Sequence, residues 1–212
     1  MTVLELETPR GPGRIHLHAV DDPRALLVLG HGAGGGVEAP DLVAARDAAL
    51  SAGVGVTLVE QPYRVAGRRS PAPASHLDAA WTALVAAVRT ELPLVVGGRS
   101  LGARVACRTA EATGAVAVLC LAFPLEPPGR GVSRLAELDA VAVPTLVVQG
   151  ERDPFGVPPP GPSRRVVTVP GDHGLKADLE AVAGAVRAWI QDLASTARAP
   201  AARTAADRVA TS

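Results

Sequence analysis

The chain has 212 residues, 48% of them hydrophobic, which suits one globular domain with a full-sized core and excludes a disordered polypeptide. Aromatic residues make up only 2%, so the core has to be built from Val, Leu and Ala. Lys plus Arg and Asp plus Glu both total 21, and the resulting zero net charge gives no electrostatic footprint for nucleic acid or an anionic membrane.

In chain order, residues 2–7 and 14–19 alternate apolar and polar side chains around Pro9-Arg10-Gly11-Pro12-Gly13, the pattern of an antiparallel pair at a sheet edge. Residues 25–30 form a continuous apolar run, as do 54–59, 92–96, 115–121 and 144–149, with a shorter one at 165–169. Such runs are expected of strands buried on both faces. Helical patterns separate them at 40–52, 75–91, 101–113, 133–139 and 174–193. Strand alternating with helix predicts an α/β fold: a central, mostly parallel sheet with right-handed crossovers and helices on both faces. In such sheets ligands bind at the carboxyl ends of the strands. These elements make one domain over residues 1–194, and the Ala-, Arg- and Thr-rich segment 195–212 is expected to be a disordered tail, with at most a frayed helix. The first residues lack the basic region and apolar core of a signal peptide, and no apolar stretch is long enough to span a bilayer. A cytoplasmic protein without a membrane partner is therefore expected. Cys107 and Cys120, the only cysteines, fall on a predicted helix and a predicted strand and are expected to be buried, inert thiols.

The run at 92–96 leads into Gly98-Arg99-Ser100-Leu101-Gly102, and a helical pattern follows at once. A chain of this composition contains a Gly-x-Ser-x-Gly string by chance only about 0.08 times. Strand, sharp turn, serine and helix in this order make a nucleophile elbow, in which strained backbone angles lift the hydroxyl clear of the sheet. The positions two residues to either side must be small, because a Cβ there would strike the neighbouring strand or helix. A serine nucleophile needs a base, an orienting acid and an oxyanion hole. His173, in Pro170-Gly171-Asp172-His173-Gly174 after the last strand, is the base candidate. Asp153, in the turn after the 144–149 strand, is the acid candidate; Glu151 competes with it, and Asp172 is too close to His173 in the chain to reach its ring. The order Ser100, Asp153, His173 is that of one particular fold. Leu101 N–H is one expected oxyanion donor, and Ala33 N–H, in the loop Gly30-His31-Gly32-Ala33-Gly34-Gly35-Gly36, is the other. The loop lacks the Gly-Lys-Ser/Thr ending of a phosphate-binding loop. His31 is expected to brace it and not to act as the base. Tyr63 and Arg64, after the 54–59 strand, are candidate substrate contacts, with solvated side chains on a proline turn the competing reading.

With these residues in place the chain resembles the α/β-hydrolase superfamily, over nearly its whole length to about residue 193. More closely it resembles a small, lidless branch related to the dienelactone hydrolases. The strings that carry the closer match are Gly97-Gly98-Arg99-Ser100-Leu101-Gly102-Ala103-Arg104, Phe123-Pro124-Leu125 and Gln149-Gly150-Glu151-Arg152-Asp153-Pro154-Phe155-Gly156. Leu101-Gly102-Ala103 stands where related members often carry Met-Gly-Gly. The segment 123–143 fills the slot where many superfamily members insert a cap, and it is too short to hold one. The resemblance implies the fold and a Ser100–His173–Asp153 triad but no substrate; from the triad, hydrolysis of a small carboxylic ester or thioester through an acyl-enzyme is expected, with amide a lesser possibility and no metal or organic cofactor needed. The alternative is a catalytically silent hydrolase fold used for binding or scaffolding.

Overall fold

The computed structural model describes residues 1–129 and 131–209, with side chains as far as Ser195. Eight strands make one sheet in the order β1-β2-β4-β3-β5-β6-β7-β8. The hairpin β1 (Thr2–Leu6) and β2 (Gly13–His18) runs antiparallel and pairs antiparallel with β4 (Gly55–Glu60). The other strands, β3 (Leu26–Gly30), β5 (Leu94–Arg99), β6 (Ala117–Leu121), β7 (Thr145–Gly150) and β8 (Arg164–Val169), are parallel to β4. Edge hairpin and parallel centre both follow the expected pattern of alternating and continuous apolar runs.

Helices cover both faces. α1 (Pro40–Ser51) and α6 (Leu179–Val209) lie on one, where Leu42, Ala45, Val182, Val186 and Trp189 pack on the sheet. α3 (Ala74–Val88), α4 (Leu101–Thr113) and α5 (Leu135–Asp139) lie on the other, around Trp81, Leu84, Val105 and Phe123. α2 (Pro62–Val65) is a single turn started by proline, which the sequence reading leaves as a rim loop. α4 stops at Gly114, whose left-handed backbone (φ 64°) lets its N–H cap the last turn. α6 starts later than the apolar period implies, because the Asp178 carboxylate accepts the Ala181 N–H and fixes the first turn there. It also ends later: the backbone stays helical to Val209, past the expected stop at residue 193 and into the segment read as a tail. Residues 210–212 of that segment lie outside the described residues. Cys107 and Cys120 are buried free thiols with their sulfurs 3.5 Å apart. No helix among the described residues is long and apolar enough to cross a membrane.

The topology fixes where a site can form. From β3 the chain steps outward to β4, then returns to place β5 on the other side of β3. Loops leaving the carboxyl ends of β3 and β5 therefore diverge, and the crevice between them opens at adjacent strands. Gly30 and Gly98 are direct register partners at that end.

Candidate active site

Ser100 sits at the tip of the turn between β5 and α4 with φ 53° and ψ −107°, outside the regions open to most side chains. Close packing holds it there. A Cβ on Gly98 would lie within 2.5–3.0 Å of Gly30 O and the Gly102 backbone, and one on Gly102 would overlap the Gly30 carbonyl. The Ser100 N–H donates to Leu121 O (2.8 Å), which ties the turn to β6.

His173 reaches the turn from the loop after β8. Its Nε2 lies 2.9 Å from Ser100 Oγ, and its Nδ1 lies 2.8 Å from Asp153 Oδ2. The Asp153 side chain is fully buried, whereas that of His173 keeps 19% of its surface exposed. Asp153 Oδ1 accepts the Phe155 N–H (2.9 Å), and Oδ2 accepts a second bond from Gln149 Nε2 (2.8 Å). The Phe155 ring lies against the imidazole, with centroids 4.4 Å apart. Glu151 is exposed and Asp172 spends Oδ1 on the Gly174 N–H, so neither competing carboxylate reaches the ring.

The glycine loop after β3 approaches from the other side. An ideal Cβ on Gly32 would come within 3.6 Å of Ser100 Cβ, so the loop backbone lies directly beside Ser100. Neither Leu101 N–H nor Ala33 N–H is used in a backbone hydrogen bond among the described residues, and both donors are free for a ligand oxygen. His31 is buried; its Nε2 accepts the Gln61 N–H (3.1 Å), so the proton is on Nδ1, which donates to Gly32 O (2.8 Å). Burial holds its pKa below the usual histidine value and keeps the ring in that neutral form. Tyr63 is buried as well. Its hydroxyl donates to Ala33 O (3.0 Å), and burial pushes its pKa up to about 12. It therefore holds the glycine loop through the Ala33 carbonyl. Arg64, half-buried in α2, is near enough for its charge to weigh on both His31 and Tyr63.

A family model described as an alpha/beta hydrolase domain matches residues 23–178. The chain belongs to the α/β-hydrolase family. A serine hydrolase without a lid from Xanthomonas campestris superposes with a TM-score of 0.73 at 21% identity, over 91% of this chain and 94% of that one. Est1E from Butyrivibrio proteoclasticus gives 0.74 at 16%, over 91% and 99%. A dienelactone hydrolase from Anabaena variabilis gives 0.71 at 16%, over 90% and 96%. These likenesses are of fold, and they put this α/β hydrolase beside lidless and dienelactone-hydrolase-like members, as its motifs imply. No curated protein matches the chain. α5 is the only helix between β6 and β7 among the described residues, and no cap domain is built there.

Gln149, Arg99 and Asp41 were not singled out by the sequence as site residues. Gln149 carries a signal in retrospect: it is the one amide in the buried strand Thr145–Gly150, and a buried amide needs partners. Its Nε2 contacts Phe123 O, Asp153 Oδ2 and Gly156 O, joining two of the family-like strings around Asp153.

Proposed function

We propose that this α/β hydrolase cleaves a small carboxylic ester or thioester through an acyl-enzyme. The observation that carries the reading is the unbroken line from Ser100 Oγ through the His173 ring to Asp153, with both hydrogen-bond distances under 3 Å. In the first step Ser100 Oγ bonds to the substrate carbonyl carbon while its proton passes to His173 Nε2. The carbonyl electron pair moves to oxygen, where Leu101 N–H and Ala33 N–H meet the charge. Collapse of the intermediate expels the alcohol or thiol, which takes the proton from Nε2. Water then repeats the sequence and releases the acid. Asp153 holds Nδ1–H and offsets the imidazolium charge at each stage.

The open site favours small acyl groups. Each buried CH₂ is worth about 0.8 kcal/mol, and without a cap few of a long chain's methylenes can be buried. Est1E has been seen with ferulic acid bound, so esters of aromatic acids belong in the substrate panel. The test is labelling with a fluorophosphonate followed by p-nitrophenyl esters of increasing chain length. Labelling of wild type but not of Ser100→Ala, with kcat/KM highest from acetyl to butyryl and lower by octanoyl, is the expected result. An unlabelled wild type would favour a silent scaffold instead. A rate that climbs to palmitoyl would reveal an acyl channel.

A further inference from the structure

Arg99 precedes the nucleophile, and its side chain joins three parts of the site. Nη2 donates to the carbonyl oxygen of His173 (3.0 Å), across 74 positions of sequence. Nη1 lies beneath Gly32, so close that an ideal Cβ on that glycine would be only 2.7 Å from it. Nε faces Asp41 Oδ2 at 2.9 Å. Asp41 is the second residue of α1, and its side chain is fully buried, against 17% exposure for Arg99. A carboxylate without water is costly unless a cation answers it, and burial alone drives its pKa upward against the pull of Arg99. Arg99 is the one cation paired with Asp41 among the described residues, so the guanidinium is fixed in position by that charge, with Nη2 bonded to the histidine loop and Nη1 packed beside Gly32.

We propose that Arg99, anchored by Asp41, is a positioning residue that locks the His173 loop to the nucleophile elbow. The lock acts on the backbone. His173 lies between two tethers of the β8–α6 loop, the Gly171 carbonyl held by the Arg152 N–H and the buried Leu175, and the Arg99 bond to its own carbonyl fixes where the ring begins. Asp153 fixes only where the ring ends. With both restraints, Nε2 stays within reach of Ser100 Oγ. With one, the ring keeps its Asp153 bond but swings about it, and the fraction of time in attacking geometry falls. A planar guanidinium suits this work because it presents donors in three directions at once, which an ammonium on a flexible stem does not.

The inference rests on the serine-hydrolase reading, so its test carries a readout that does not need turnover. Arg99→Met alone leaves Asp41 unanswered and risks misfolding, so the working variant is Asp41→Asn combined with Arg99→Met, which removes both charges. This double variant is expected to keep a cooperative melt and a wild-type KM while kcat falls about 10- to 100-fold. In a His173→Ala background the same pair of changes should cause no further loss, because the restraint acts through the missing ring. Independently of activity, the low-field proton resonance of His173 Nδ1–H should be sharp in wild type and broadened or lost in the folded double variant. A folded variant with wild-type kcat, or an equal loss in the His173→Ala background, would overturn the proposal. So would an unchanged Nδ1–H resonance, and that readout decides the matter even for a wild type that no fluorophosphonate labels.

Discussion

Arg99, on the sheet side of Ser100, faces a carboxylate that solvent does not reach, whereas Arg104 and Arg108, on the helix side, share carboxylates with about a fifth to a quarter of their side-chain surface in water. Arg104 grips Glu137 of α5 with two nitrogens (2.8 and 2.5 Å), and Arg108 grips Asp78 of α3 in the same way (2.9 and 2.6 Å). A longer contact from Arg108 to Glu137 (3.5 Å) closes the chain Asp78–Arg108–Glu137–Arg104 across three helices. Both clusters flank the same turn and use the same residue types. What separates them is where the spare donors go. Those of Arg99 end on backbone of the site, and those of Arg104 and Arg108 end on carboxylates of the scaffold. Arginine–carboxylate pairing next to a nucleophile is thus not by itself a statement about chemistry.

Changes on the site side should act on rate, and changes on the scaffold side on stability. The largest effect is expected from Asp153→Asn, which leaves the loop in shape but offers the wrong partner to His173 Nδ1. The loss in kcat/KM should be on the order of 10⁴-fold, with Glu151→Gln close to wild type. If the two variants exchanged places in an esterase assay, the acid would be Glu151. Next comes Ala33→Pro, which deletes one of the unused N–H groups beside Ser100 and should lower kcat by about 10²–10³. A circular-dichroism spectrum has to match wild type for that number to count. A folded Ala33→Pro with full kcat would move the second donor to another residue of the glycine loop.

On the scaffold side, Glu137→Gln weakens contacts to two arginines at once. Part-exposed pairs are worth about 0.2–1 kcal/mol each, so a loss of roughly 0.5–2 kcal/mol and a Tm lower by a few degrees are expected. kcat should stay within about twofold of wild type, and high salt should shrink the difference in Tm. A Glu137→Gln enzyme with normal Tm and impaired kcat would erase the distinction between the clusters. The smallest effect concerns pH. Burial lowers the pKa of His31, and less strongly buried His18 is shifted the same way. As pH falls below the ordinary histidine value of about 6.5, the unfolded chain takes up protons that the folded one refuses. Stability from these groups is therefore full above that value and declines below it. Urea melts between pH 7.5 and 5 should show the decline in wild type and a shallower one in His31→Asn.

The parts legible in the sequence are those that a few consecutive residues determine. The continuous apolar runs located every parallel strand to within three residues, and helix α4 begins and ends where the elbow and Gly114 require. Ser100, Asp153 and His173 each follow a strand, so chain order was enough to bring them to one edge. Contacts between distant side chains left no such trace. Pro40-Asp41 reads as an ordinary helix start, where an acid suits the dipole, and nothing nearby announces its pairing with Arg99. Tyr63 looks like a rim residue from its position after β4. That its ring turns inward onto Ala33 O depends on α2, a single turn too short to carry a periodic signal.

Ser100 occupies a backbone conformation that glycine tolerates far better than serine, and the fold enforces it with close-packed glycines and a bond to Leu121. Strain of this kind costs about 1–3 kcal/mol, more than the extra chain entropy that glycine loses on folding, about 0.5–1 kcal/mol. Ser100→Gly should therefore melt at a higher temperature than the natural protein while hydrolysing nothing. One change would then both relieve the strain of the turn and remove its hydroxyl, and a screen for thermostability alone would select against the enzyme.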